Sequence, residues 1–177
     1  MANYLVVSAI GEDQPGTVER LARTILEYQC NIEDSRMAVL GGTFALIQLV
    51  SGRWNNLAKL ETALNNLQGS LHLTITTRHT DRSEPNPTHM PYTLDVVSLD
   101  RPGIVHQLSG FLAARGINIQ DMSTHTYRAA HTAAPMISVR MNIEVPDTVH
   151  IAQLREDFLD LCDAENFDGI LEPVKAP

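Results

Sequence analysis

The chain has 177 residues, of which 44% are hydrophobic and 19% charged, a composition typical of a protein that buries a core and not of a disordered one. Its formal net charge of -8 argues against non-specific binding to nucleic acid or to anionic membranes. The N-terminal residues lack the basic segment of a signal peptide, no apolar run approaches the length of a membrane span, and two cysteines are too few for a disulfide framework. We therefore expect a cytoplasmic protein.

The first half of the sequence predicts the order strand, helix, strand, strand, helix, strand. Residues 4–10 have strand character and run into the turn Asp-Gln-Pro-Gly-Thr-Val at 13–18, after which apolar residues fall on one helical face. The next two strands flank the glycines at 41–42, a pair suited to a primed hairpin turn. A second helical pattern, with the asparagines at 55–56 as candidate N-caps, precedes a last strand.

The second half repeats this order. Its hairpin is longer because of the loop at 128–135, and Asp147 and Thr148 are candidate N-caps of its last helix. Gly116 stands where a left-handed residue ends the first helix of this copy, and Gln29 stands there in the first copy. Residues 87 positions apart match without a gap, which indicates a duplication. The matching pairs are Asp13/Asp100, Pro15/Pro102, Gly16/Gly103, Val18/Val105, Leu21/Leu108, Asn31/Asn118, Ile32/Ile119 and Asp34/Asp121.

The repeated order predicts an α+β protein with two ferredoxin-like βαββαβ domains in tandem, each an antiparallel sheet with its helices on one face. We place the first domain at 1–78, a linker at 79–91 and the second domain at 92–173. The linker is rich in proline, serine, threonine and asparagine, which disfavour a helix and offer little to bury. Because open sheet edges are templates for pairing, we expect the halves to pair with each other or with a second chain, as a homodimer.

The repeated turn has two interpretations. Proline fixes φ near a helix start and glycine permits a sharp turn, which is a purely structural explanation. A helix start also presents free N–H groups and a positive dipole end, where a carboxylate binds if a glycine leaves room. The asparagine that opens the next strand offers an amide, and the aspartate of the turn accepts from an ammonium group or caps the helix. Together these groups predict a site for a free amino acid, formed by Asp13, Gln14, Pro15, Gly16, Thr17, Asn31 and Ile32, and by Asp100, Arg101, Pro102, Gly103, Ile104, Asn118 and Ile119.

The pattern D-x-P-G-x-V at the first strand-to-helix turn, followed by N-I at the next strand, resembles the ACT domain, a small-molecule-sensing module, in both halves. The resemblance implies an amino acid held between two ACT units by the glycine turn of one and the second strand of the other. The stretch CNIEDSRMAVLGGTFALIQLVSGRWN is similar to the family of glycine cleavage system transcriptional repressors. That similarity implies a regulator that restrains a DNA-binding transcriptional activator of the glycine cleavage genes by protein contact, is relieved by glycine, and does not bind DNA itself.

Other functions compete with this interpretation. The seven histidines show no metal-ligand spacing and no serine has a nucleophile-elbow context, so we expect no catalysis, no metal and no cofactor. RNA-recognition motifs share the topology but stack bases on aromatic side chains, of which the candidate strands carry Phe44 alone. An amino-acid-sensing regulatory subunit of a metabolic enzyme stays open as the alternative. Cys30 is expected to be a small buried side chain, and Trp54 to pack in a core or an interface.

Overall fold

The computed structural model describes residues 3–81 and 88–174 of the chain, which divides into two compact units, Met1–Glu84 and Pro85–Pro177. Each unit holds one four-stranded sheet and two helices. Strands occupy both ends of the predicted linker at 79–91, and its residues 82–87 lie outside the described part of the chain. The domain boundaries given above stay predictions.

The first unit follows the predicted element order. Its elements are β1 (Asn3–Glu12), α1 (Thr17–Glu27), β2 (Asn31–Leu40), β3 (Thr43–Gly52), α2 (Trp54–Leu71) and β4 (Leu73–Thr80). The strands lie in the order β2-β3-β1-β4, and each neighbouring pair is antiparallel. The edges of this sheet are therefore β2 and β4.

The second unit repeats the plan. Its elements are β5 (His89–Leu99), α3 (Ile104–Ala113), β6 (Asn118–Arg128), β7 (Pro135–Pro146), α4 (Ile151–Glu165) and β8 (Asp168–Pro173). The strand order β6-β7-β5-β8 matches that of the first unit, again with antiparallel neighbours. The predicted α+β class and the βαββαβ order are confirmed in both halves.

Buried residues alternate with more exposed ones along the central strands, and the buried residues form the core of each unit. In β1, Leu5, Val7 and Ala9 are buried, while the residues between them lie on the opposite face of the sheet, which we call the outer face. Helix α1 buries Leu21 and Ile25 on this inner side, because a spacing of four keeps both on one helical stripe. At the equivalent positions the second unit buries Tyr92, Leu94, Val96, Leu108 and Leu112. The two cores share no residue among the described part of the chain.

The glycine turns adopt the predicted backbone. Gly41 and Gly42 have φ of 59° and 80°, and a primed hairpin turn requires positive φ at both positions. Gly116 is left-handed with φ of 66°, and Gln29 adopts φ of 55° at the matching place, at a steric cost that glycine avoids. The longer second hairpin is also present, since β6 ends at Arg128 and β7 begins at Pro135.

Both predictions of a capping side chain for the second helix of a unit are wrong. The N-cap of helix α2 is Arg53, so the asparagines at 55–56 lie inside the first turn of that helix. The N-cap of helix α4 is His150, so Asp147 and Thr148 lie before the cap position. Both cap residues keep extended dihedrals and make no side-chain cap bond, which indicates that the incoming chain sets these helix starts. Trp54 is not in a core, since it is 59% exposed with its ring 4.9 Å from that of His79, and its packing in an interface stays a prediction.

Within residues 3–81 and 88–174, none of the helices combines the length and the apolar character needed to cross a bilayer.

Candidate ligand-binding site

The first glycine turn joins β1 to α1. Gly16 is the N-cap of α1 with φ of 91°, and a Cβ atom at this position would meet no other atom within 4 Å. Gln14 donates from Nε2 to Oε2 of Glu12 at 3.0 Å, and its backbone oxygen accepts from the N–H of Thr17 at 3.3 Å. The exposed members of the turn are Asp13, Pro15 and Gly16. The turn therefore leaves open space beside the N-terminus of α1.

The second glycine turn has the same backbone and different side chains. Gly103 is the N-cap of α3 with φ of 99°, again with open space around it. Arg101 donates from Nη2 to Oε2 of Glu165 at 2.6 Å and to Oε1 of Gln107 at 3.1 Å. Its guanidinium also lies 5.4 Å from the ring centre of Phe167. This turn, which includes the exposed Asp100 and Pro102, carries a cation held against α4 where the first turn carries Gln14.

Both helices begin with free backbone N–H groups. Within the described residues, the N–H groups of Val18 and Glu19 in α1 find no hydrogen-bond acceptor, and neither do those of Val105 and His106 in α3. Such groups, together with the helix dipole, favour an anion at these two places.

The prediction that Asp13 or Asp100 caps a helix is wrong. Neither α1 nor α3 has a side-chain cap bond, because the Pro-Gly step puts the glycine at the cap and leaves the aspartate three residues earlier in the chain. Both aspartates are exposed, so their carboxylates are accessible to a ligand.

The second predicted feature, Asn31-Ile32, opens β2 at the far end of the sheet. Asn31 pairs with Ser51, which in turn pairs with Tyr4 near the start of β1. The glycine turn follows the other end of β1, roughly 25 Å away at about 3.3 Å per residue. In the second unit, Asn118-Ile119 likewise starts β6 at the end of the sheet away from the turn. Each unit therefore keeps its own turn and its own asparagine apart, and a site that uses both needs a strand from another unit.

Both of these strands carry a bulge that was not expected from the residue pattern. The register shifts between Ile32 and Asp34 in β2 and at the matching place in β6. In β2, Oε1 of Glu33 accepts from Nδ2 of Asn31 at 3.2 Å and from Oγ of Ser51 at 2.5 Å, which orients the asparagine amide. The repeated pattern N-I-x-D was the available signal, since its aspartate follows the bulge in both copies.

In the described part of the first unit, two polar oxygens of the interior are unpaired. Oγ1 of Thr17 and Oε1 of Gln48 are buried and find no hydrogen-bond partner within the described residues. The equivalent positions in the second unit are Ile104 and Met141, both buried and apolar. A buried oxygen without a partner costs about 1–3 kcal/mol of stability. Thr17 and Ile104 thus lie inside their units, unlike the exposed residues of the turns. Gln48 was not among the predicted functional residues because the alternating buried positions of its strand are otherwise apolar.

The remaining reactive side chains are placed as follows. No group of three His, Cys, Asp or Glu side chains in the described residues has a geometry that could hold a metal ion. Cys30 and Cys162 are free and buried, and burial raises the pKa of each thiol, which disfavours the reactive thiolate. Phe44 is 1% exposed and belongs to the core, so it offers no surface for base stacking.

Comparison with known proteins identifies the family. Models of the ACT domain match residues 3–78 and 92–163. The chain is 30% identical over 172 residues to the glycine cleavage system transcriptional repressor of Escherichia coli strain K12, a match that covers 97% of this chain and 90% of that protein.

Two crystal structures share the architecture over 99% of the chain. An unknown protein from Galdieria sulphuraria is 28% identical with a TM-score of 0.85, and all of that chain is covered. A protein provisionally described as a glycine cleavage system transcriptional repressor is 27% identical with a TM-score of 0.74, and 99% of that chain is covered. With two ACT domains and a full-length relative, the chain belongs to the ACT-domain proteins and, among them, to the family of the glycine cleavage system transcriptional repressor.

Proposed function

We propose that this protein senses an amino acid, glycine foremost, and controls a DNA-binding transcriptional activator of the glycine cleavage genes by protein contact in the cytoplasm. In this proposal the protein neither binds DNA nor catalyses a reaction. The observation that carries it is the identity of 30% that extends over 97% of the chain. Because the match runs through both units and the connection between them, it supports a shared role for the whole protein and not for one module.

The proposed ligand site combines a glycine turn with the opening of a second strand from another ACT unit. The ligand carboxylate accepts from the free N–H groups at the start of α1 or α3. Its ammonium group donates to the amide oxygen of Asn31 or Asn118, or to the exposed carboxylate of Asp13 or Asp100. A ligand shared by two units stabilises only the arrangement that brings them together, so it changes the affinity for a partner that prefers another arrangement.

Calorimetric titration with glycine and a panel of other amino acids tests this proposal. We expect saturable binding of glycine to the wild-type protein and loss of binding in Asn31→Ala or in Asn118→Ala. The exposed asparagines are better targets than the glycines, because positive φ makes any replacement of Gly16 or Gly103 strain the backbone. Asn55→Ala, an exposed asparagine on α2, is the matched control and should bind as the wild type does.

The same purified protein is used to test whether it binds the proposed activator. The purified activator should be retained by the immobilised protein without glycine and released when glycine saturates the site, whereas promoter DNA alone should not be retained. Absence of binding by every amino acid while both asparagine variants stay folded would sink the ligand part of the proposal. Retention of promoter DNA without the activator would sink the protein-contact part.

A further inference from the structure

A cavity of about 510 Å³ opens on the outer face of the sheet in the first unit. Its floor is apolar, formed by Val6, Ile47 and Leu49 from the two central strands. Its rim is charged, with Asp34 and Arg36 on β2 at one side and Asp81 beyond β4 at the other. None of the residues of the glycine turn lines this cavity, but its lining residue Glu33 accepts from Nδ2 of Asn31, so the cavity adjoins the strand opening that the proposed amino-acid site uses.

The equivalent face of the second unit carries polar side chains at the matching positions of its central strands. Counted by strand register, Val6, Ser8, Ile47 and Leu49 of the first unit correspond to Thr93, Asp95, Arg140 and Asn142. Arg140 donates from Nε to Oδ1 of Asp95 at 2.6 Å and from Nη2 to Oδ2 at 3.2 Å. Oγ1 of Thr93 donates to Oδ1 of Asn142 at 3.3 Å. The depression there, of about 410 Å³, is lined by these two polar pairs together with Glu172, Pro173 and Val174.

The apolar floor of the first unit is therefore not a requirement of the fold. An antiparallel sheet that packs helices on one face commonly presents polar residues to water on the other, as the second unit does. Ile47 is nevertheless 50% exposed at the position where the second unit has Arg140. A concave apolar floor that is bordered by charged side chains is typical of a small-molecule site.

The charges around the cavity determine whether it attracts a positively or a negatively charged molecule. Arg36 is already paired, with its Nη1 atom 2.6 Å from Oδ1 of Asp34. Among the described residues, the other charged lining groups are the carboxylates of Asp81 and of Glu33, which accepts from Asn31 and Ser51, so carboxylates outnumber guanidinium groups in this lining. Arg78, which is exposed on β4 opposite Val6, adds one positive charge beside the floor, and the described charges around the cavity still include more carboxylates than guanidinium groups. A cation is therefore attracted to the rim and an anion is repelled.

We propose that the outer face of the first sheet binds a small amphipathic cation, with an apolar body against Val6, Ile47 and Leu49 and an ammonium group at the acidic rim. The volume suits a molecule of this kind, since small-molecule sites span roughly 300–1,000 Å³. The second unit does not bind it, because the Asp95–Arg140 pair occupies the equivalent floor. The protein then binds a second class of small molecule, one that carries an ammonium group and no carboxylate.

The test uses the full chain and two probes of similar size and opposite charge, 2-phenylethylamine and 3-phenylpropanoate. Methyl NMR spectra are recorded during titration, and the methyl groups of Val6, Ile47 and Leu49 report the cavity. We expect saturable shifts of these methyls with the amine and an affinity at least about tenfold lower for the carboxylate, which corresponds to about 1.4 kcal/mol. Equal binding of both probes, or no saturable shift with the amine, overturns the proposal.

The duplication supplies a variant that should remove the site and keep the fold. Ser8→Asp with Ile47→Arg copies the ion pair of the second unit, and Val6→Thr with Leu49→Asn copies its hydrogen-bonded pair. Each double variant should abolish the amine-induced shifts, while Asp95→Ser with Arg140→Ile, on the other unit, should leave them unchanged. Unaltered amine binding in both first-unit variants overturns the proposal, whatever the glycine titrations show.

Discussion

At the scale of single residues, backbone conformation explains why the Pro-Gly step occurs twice. Gly16 and Gly103 have φ of 91° and 99°, a region that residues with a Cβ atom rarely adopt. The same positions face open space, so neither glycine is needed to avoid a clash inside its own unit. The positive φ of the turn is therefore enough to explain why the fold has a glycine there. A role of the turn in ligand binding is additional to this backbone requirement.

We expect Gly16→Ala and Gly103→Ala each to lower the free energy of unfolding by about 1–2 kcal/mol, because alanine is strained at positive φ. Urea denaturation followed by circular dichroism measures this change. Gly69→Ala is the matched control: Gly69 lies in α2, has open space around it and no positive φ, so alanine should raise stability by about 0.5–1 kcal/mol. Equal effects at all three positions would contradict the conformational explanation.

At the scale of elements, one arginine connects the two helices of the second unit. Arg115, just beyond α3, donates from Nη2 to Oδ2 of Asp157 in α4 at 2.6 Å and from Nη1 to the backbone oxygen of Phe111 at 3.0 Å. Its guanidinium lies 3.9 Å from the ring centre of Phe111. Gln153 also donates to Asp157, at 2.9 Å. The carboxylate thus accepts bonds from two side chains, in a position that links the helix pair.

The pH dependence of stability should report this link. The hydrogen bonds from Arg115 and Gln153 lower the pKa of Asp157, so its stabilising effect is complete above the ordinary pKa of an aspartate and is lost as pH falls through the lowered value. We expect Asp157→Asn to be less stable than wild type at neutral pH, with the difference shrinking on acidification. Denaturant titrations across pH 2–7 measure it, at about one point per half unit. A stability difference between the two proteins that is the same at both ends of this pH range would refute the assignment.

At the scale of the whole molecule, duplication produced two units with the same topology and different surfaces. Their cores are separate sets of residues, yet Leu21 and Leu108 occupy equivalent, fully buried positions. The outer faces and the glycine turns have diverged instead, as the apolar floor around Ile47 and the tethered Arg101 illustrate. The fold is thus kept in both copies while the groups that meet other molecules differ.

Because the two units have separate cores, we expect a mutation in one core to shift the unfolding transition of that unit alone. Trp54 is the single tryptophan and lies in the first unit, so its fluorescence follows that unit, whereas circular dichroism follows both. Leu21→Ala should destabilise the fluorescence-detected transition by about 2–5 kcal/mol, since it leaves a cavity in the first core. Leu108→Ala, the matched change in the second core, should leave that transition in place and shift only the dichroism. A fluorescence transition that moves equally in both variants would mean that the two units unfold as one.

Much of this protein was predictable from sequence, because local patterns act locally. The alternation in β1, the helical spacing of Leu21 and Ile25 and the glycines at 41–42 each specify a short segment without reference to the rest of the chain. The repeat of D-x-P-G-x-V and N-I then identified both turns and both strand openings. Candidate N-caps were less predictable, since a capping side chain adds about 1 kcal/mol and the incoming strand can override it.

The relations between distant segments were decided by tertiary structure alone. Gly16 and Asn31 are close along the chain, with only α1 between them. Because α1 runs from one end of the sheet to the other, the two residues lie at opposite ends of the sheet. The bulge after Ile32 and the meeting of Val6, Ile47 and Asp34 on one face depend on strand register, which pairs residues far apart in the chain. The sequence by itself determined the elements, the duplication and the type of turn. Only the packing of strands decided which side chains share a surface, because that outcome depends on all the elements at once.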